Sequence, residues 1–153
     1  MPPIAKAQML IRKPVGDVFE AFIDPVLTSR FWFSGASGQL AAGARVRWDW
    51  EMYGVSTTVD VKAIEKDKRI LIEWNIYDNP TLVEWQFEAR GEDQTFVTIR
   101  NWGFKGTPDE IVAQALDSTS GFSFVLAGLK AFLEAGLELN LTADHDPAAL
   151  VER

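Results

Sequence analysis

Between Ala44 and Trp102 the chain alternates apolar and polar residues in five successive runs, separated only by short polar connections. A period of two sends successive side chains to opposite faces of a strand. Five such runs joined by short turns imply an antiparallel meander, since parallel neighbours need crossovers of a dozen or more residues. This pattern restricts the fold more than any other feature of the sequence. The apolar phase carries Val46, Trp48, Trp50 and Met52 in the first run and Val55, Thr57, Val59, Val61 and Ala63 in the second. It continues with Ile70, Ile72, Trp74 and Ile76, then Val83, Trp85 and Phe87, and finally Thr95, Val97, Ile99 and Asn101. The opposite phase holds Asp49, Glu51, Glu73, Glu84 and Glu88, a pattern expected of a solvated face.

Helical spacing flanks the meander. A first short strand in "AKAQMLI" is followed by Pro14 and a helix with Val15, Val18, Phe19 and Phe22 at i, i+3, i+4 and i+7, closed by Asp24-Pro25. A second helical stub lies in "VLTSRFWF", and "SGASGQLAAGA" turns the chain into the sheet. After the meander, Thr107 stands as an N-cap, with Pro108 at the first helical position and Glu110 completing a capping box. The stripe Phe122, Val125, Leu126, Leu129, Phe132 and Leu133 then keeps helical spacing to Gly136, with Ser118 to Gly121 as a point for a bend or break. The sequence therefore predicts one α+β domain over 1–153, with a core at about 7–136 and a tail at 137–153. Its architecture is a curved antiparallel sheet of six to seven strands around a long C-terminal helix, with two short helices after the first strand.

Composition narrows the function by exclusion. A chain of 153 residues with 47% hydrophobic content can bury roughly 70% of the surface its unfolded form exposes, so it needs no staple. Twenty-two acidic against fifteen basic residues give a formal charge of -7, which repels nucleic acid. No cysteine is present, which removes disulfides and zinc-thiolate sites and suits the cytoplasm. No apolar run of about 18 residues exists to insert into a membrane, and the N-terminus lacks an apolar leader. Asn140-Leu141-Thr142 matches a glycosylation acceptor, but without a leader it is not expected to be used.

Conventional catalytic equipment is sparse. His145, the single histidine, lies in "TADHDPA", where an exposed polar tail is a simpler reading than a metal ligand or a base. The glycines of "GASGQLAAG" have no phosphate-loop context and read as a turn. Six tryptophans remain as the unusual feature, and Trp48, Trp50, Trp74 and Trp85 fall on the apolar phase of three strands. They are either plain core or the wall of an apolar pocket. Asn101, a polar residue on an apolar phase, either orients a guest or is satisfied by backbone.

Three stretches carry a family resemblance. "IRKPVGDVFEAFIDP", "SRFWFSG" and "SGFSFVLAGLKAFLEAG" resemble the START-like helix-grip superfamily, also called SRPBCC. Within it they are similar to the bacterial branch related to the activator of the heat-shock protein 90 ATPase. The resemblance spans about Ala7 to Gly136 and implies a hydrophobic cavity between sheet and long helix, with no cofactor, metal or catalytic set carried over. The expected ligand-binding residues are Trp32, Trp48, Trp50, Trp74, Trp85, Asn101, Phe122, Val125, Leu126 and Leu129. The expected partner is a small apolar molecule such as a lipid or polyketide, bound by a monomer or homodimer. One alternative is a co-chaperone-like module that docks on a chaperone through Phe104 and the tail leucines Leu137, Leu139 and Leu141. A second is a polyketide cyclase-like enzyme using Tyr53, Tyr77 or Asp49 to move protons.

Overall fold

In a computed structural model, which describes residues 2–151, the meander closes into one seven-stranded antiparallel sheet. Its strands are β1 (Ala5–Ile11), β2 (Gly35–Ala36), β3 (Arg45–Trp50), β4 (Val55–Glu65), β5 (Arg69–Trp74), β6 (Thr81–Ala89) and β7 (Thr95–Trp102). Their spatial order is β1-β7-β6-β5-β4-β3-β2, so the first strand sits beside the last and the rest follow the chain. Helices α1 (Val15–Ile23) and α2 (Pro25–Thr28) follow β1, and α3 (Pro108–Ala135) follows β7. This is the α+β helix-grip arrangement expected from the pattern.

The inner face of the sheet supplies the core. Val59, Ile70, Ile72, Val83, Val97 and Ile99 are fully enclosed, and α3 lays Phe122, Val125, Leu126 and Leu129 against them. The outer face is laced with ion pairs, among them Arg69 to Glu84 at 2.6 Å and Arg45 to Asp60 at 2.8 Å.

Helix α3 begins with the capping box that the sequence announces. Thr107 Oγ1 accepts from the Glu110 N–H at 3.2 Å, and the Glu110 carboxylate accepts from the Thr107 N–H at 3.0 Å. The expected bend at Ser118 to Gly121 is absent, because α3 runs unbroken for 28 residues. The hydroxyls there find partners without opening the helix: Thr119 and Ser123 donate to carbonyls four residues back, and Ser118 donates to Asn101. Close approach is set by Gly128, where a Cβ would meet the Phe31 carbonyl oxygen at 3.1 Å. Gly136 ends the helix at φ +68°, a left-handed conformation that glycine adopts without steric cost. The C-terminal turns of α3 are fastened to β1, since Lys130 Nζ donates to the Leu10 carbonyl at 2.8 Å and the Arg12 N–H donates to Glu134 at 2.9 Å.

The sheet departs from the expected phases in three places. A register shift between Val61 and Ala63 turns Ile64 toward the core, so the simple alternation through Ala63 does not hold. Strand β5 stops at Trp74, leaving Ile76 outside the sheet and 37% exposed. Val55 begins β4 but is 45% exposed. Phe104, expected on the surface, is buried in a small satellite core with Ala5 and Ala115.

The tail is also more ordered than its lack of period suggests. It forms a helical turn, α4 (Leu141–Asp144), and a 3-10 turn over Pro147–Ala149, and the Val151 N–H donates to the Met52 carbonyl at 2.9 Å. The segment lies back across the molecule beside α3 and the end of β3.

Candidate ligand-binding site

The site is organised around Trp32. Helix α2 is pinned to α1 by Thr28, a buried residue whose hydroxyl donates to the Ala21 carbonyl at 2.6 Å. The N–H of Trp32 returns to the Thr28 carbonyl at 3.0 Å, and the consecutive side chains Phe31, Trp32 and Phe33 all become buried. From that position the Trp32 ring lies 5.0 Å from Trp48, 5.9 Å from Trp50, 6.0 Å from Trp74 and 5.7 Å from Phe122, centroid to centroid. Edge-to-face aromatic pairs at such spacings each contribute about 0.5–1.5 kcal/mol beyond their area burial. The cluster draws its members from β3, β5, α3 and the turn after α2.

Rings of this size do not fill all the space between sheet and helix. A cavity of about 410 Å³ remains at the end of the sheet where β3 and β5 finish. Trp32, Trp50, Trp74, Phe122 and Val125, all expected from the sequence, stand in its wall. Trp48, Trp85, Leu126 and Leu129 do not: they are at most 2% exposed and sealed in the core behind it.

Asn101 also lies outside the wall. Its Nδ2 donates to Thr81 Oγ1 at 3.0 Å and to the Leu82 carbonyl at 2.8 Å, while its Oδ1 accepts from Ser118 at 2.8 Å. With every strong hydrogen-bonding group engaged, this fully buried side chain tethers α3 to β6 and β7. The Nε1 atoms of Trp74 and Trp85, by contrast, are buried without a hydrogen-bond partner among the described residues.

Several wall residues lie outside the expected ligand-binding set, Tyr53 and Tyr77 being expected only as proton-transfer groups. Tyr53, from the turn after β3, faces the cavity and donates its hydroxyl to the Thr142 carbonyl of the tail. Phe124 lies on α3, and the tail adds Thr142, His145, Asp146 and Ala149. His145 is thus exposed but not loose, its ring lying 5.0 Å from Phe124 and 6.3 Å from Tyr53. Tyr77 and Asp117 complete the rim, the phenol donating to the carboxylate at 2.7 Å. A helical projection of α3 that continued past the expected break would have put Asp117, Gly121 and Phe124 on one side. Nothing in the tail sequence signals its docking.

Electrostatics limit what this wall can do. Burial, reinforced by the Asp117 hydrogen bond and charge, pushes the Tyr77 phenol far above its ordinary range. Tyr53 is raised by burial and then by the charges of Asp146 and Asp144. Both phenols therefore stay protonated at neutral pH and act as donors, not as bases. Asp49, the third group expected for proton transfer, lies on the outer face, where its carboxylate accepts from Ser56 at 2.7 Å and from Arg47 at 3.1 Å. It is held below its ordinary value, chiefly by the Ser56 hydroxyl, and has no access to the cavity. Among the described residues no group of three His, Cys, Asp or Glu side chains is arranged to hold a metal.

The helix-grip order of elements, with its cavity between sheet and long helix, agrees with a match over residues 12–134 to the family described as Activator of Hsp90 ATPase homolog 1-like protein. The chain belongs to that family. Among solved structures, the chain is similar to protein SSP2350 from Staphylococcus saprophyticus, with 27% identity and a TM-score of 0.76 over 89% of this chain and 95% of that one. The Aha1 dimer from Colwellia psychrerythraea shares the fold at 19% identity and a TM-score of 0.70, covering 87% of this chain and 97% of that one. DynU16, described as a putative protein in the dynemicin biosynthetic locus, has 21% identity and a TM-score of 0.78, covering 90% of this chain but 49% of its own. Among curated proteins none matches this sequence. The family match ends at Glu134, so the tail residues in the cavity wall lie beyond it. No helix among the described residues is long and apolar enough to cross a membrane.

Proposed function

We propose that this family member binds a small, largely apolar molecule, of lipid, polyketide or other aromatic character, in the cavity beneath the tail. One observation carries the reading: a cleft of about 410 Å³, open to solvent, is walled by Trp32, Trp50, Trp74, Tyr53, Phe122 and Phe124 where the end of the sheet meets α3 and the tail. A concave surface lined mainly by aromatic and apolar side chains with a few polar groups is the usual form of a small-molecule site. The space matches the lower part of the range typical of small-molecule pockets, about 300–1,000 Å³. The binding residues proposed here are Trp32, Trp50, Trp74, Phe122 and Val125, with Tyr53 and Phe124 added. Positioning a reactive chain inside such a pocket would serve cyclase-like chemistry, for which Tyr53 and Tyr77 remain as proton donors.

Native mass spectrometry of the protein, set against its denatured mass, is the direct test. A reproducible non-covalent adduct, lost in Trp50→Ala and Trp74→Ala proteins that still unfold cooperatively, is the expected result. A protein that stays bare after incubation with fatty acids, sterols and aromatic polyketides would remove the reading.

The family description favours a second reading, a co-chaperone-like contact with the heat-shock ATPase, on this chain as a monomer or homodimer. Of the residues expected for it, Leu137 and Leu139 are 55% and 46% exposed, while Phe104 is buried and Leu141 half-buried. Stimulation of that ATPase by the purified protein, abolished in Leu137→Ser/Leu139→Ser, would establish this role. With no cysteine to oxidise, we assign the protein to the cytoplasm.

A further inference from the structure

We propose that the cavity selects a ligand carrying positive charge, an aromatic or apolar amine or quaternary ammonium, over neutral and anionic molecules of the same shape. The inference rests on the apolar-ligand reading above and specifies the chemistry of its guest. Three features of the wall support it. No lysine or arginine stands in the wall, so a carboxylate or phosphate guest would meet no permanent counter-charge, His145 being the one basic side chain there. Two carboxylates do stand there, Asp117 on α3 and Asp146 on the tail, and neither forms an ion pair among the described residues. The same wall carries the rings of Trp32, Trp50, Trp74, Tyr53 and Phe124, and aromatic rings attract cations.

The two carboxylates reach the cavity from different elements, α3 and the tail. Asp117 accepts from the Tyr77 hydroxyl at 2.7 Å, which fixes one oxygen and leaves the second free. Asp146 follows His145, whose ring rests on Phe124. Both tyrosines at the rim are pushed upward in part by these acids, as expected of a locally negative field. Asp146 belongs to the segment beyond the family match, so this half of the charge comes from outside the matched residues.

The test is an NMR titration of the full chain, read at the tryptophan indole signals, with naphthylmethylammonium, naphthylmethanol and naphthoate. These probes share a ring system and differ in charge. The ammonium is expected to bind about tenfold more tightly than the alcohol at low salt, with naphthoate weakest and the gap narrowing as salt rises. Asp117→Asn/Asp146→Asn should remove most of the ammonium's advantage over the alcohol. Equal binding of ammonium and alcohol, or tighter binding of naphthoate, overturns the charge selection while the apolar-ligand reading stands. Failure of all three probes to bind overturns both.

Discussion

Trp48 and Trp50 are neighbours on one phase of one strand, yet they belong to different regions of the molecule. Trp48, 2% exposed, stacks beside Phe33 at 5.1 Å in a sealed half of the core, together with Trp85. Trp50, 7% exposed, meets the cavity with Trp32 and Trp74. A few per cent of exposure thus separates a residue that packs from one that forms a wall. The difference arises where β3 ends: beyond Trp50 the chain turns through Tyr53, and no further strand covers the rings. Residue type and strand phase set the direction of a side chain, whereas the end of the sheet decides whether that direction leads to packing or to space.

The sharpest way to separate the two halves is truncation in each. Trp85→Ala and Trp48→Ala should each cost about 3–5 kcal/mol in urea unfolding, as expected for a large side chain removed from sealed packing. Trp50→Ala, which enlarges an existing space, should cost about 1–3 kcal/mol and act mainly on ligand affinity. Equal losses at Trp48 and Trp50 would dissolve the distinction. Asn101→Ala tests the polar tether behind the wall; it should cost about 1–3 kcal/mol by leaving Thr81 and Ser118 without their buried partner.

The capping box supplies the smallest effect and a control remote from both halves. The backbone N–H and the hydroxyl of Thr107 hold the Glu110 carboxyl below its ordinary value of 4.5. A depressed folded value means that the stability this carboxylate supplies is present above 4.5 and lost as pH falls through the folded value. The stability gap between wild type and Glu110→Ala should therefore be full near neutrality and narrow in acid, as read from urea midpoints across that range. A gap unchanged in acid would show that the charged carboxylate is not what caps α3.

The meander and the long helix were legible because periods of two and 3.6 repeat over many residues, and the N-cap at Thr107 is a local signal. Trp50, Trp74, Phe122 and Val125 in the wall followed from those same periods, whereas Trp32 followed from the resemblance carried by "SRFWFSG". The others depend on where elements stop or on contacts between distant parts of the chain. Ile76 lost its place when β5 ended at Trp74, and Ile64 gained one through the register shift beside Val61. Tyr53 reaches Thr142, 89 residues away, and no local pattern in the tail records that pairing. Asn101 was visible as an anomaly, but only its three partners distinguish a tether from a ligand contact.

The clasp of α3 on β1 bears on how copies of this protein meet. A boundary strand of a sheet presents unpaired N–H and C=O groups on which a foreign chain can polymerise. Here Lys130 occupies the carbonyl of Leu10 and Glu134 the amide of Arg12, so the β1 margin is blocked at the end where the helix crosses it. The opposite margin, β2, offers two residues. The lysine and glutamate that fasten α3 to β1 thereby also leave fewer unpaired groups on that margin for a foreign strand to pair with.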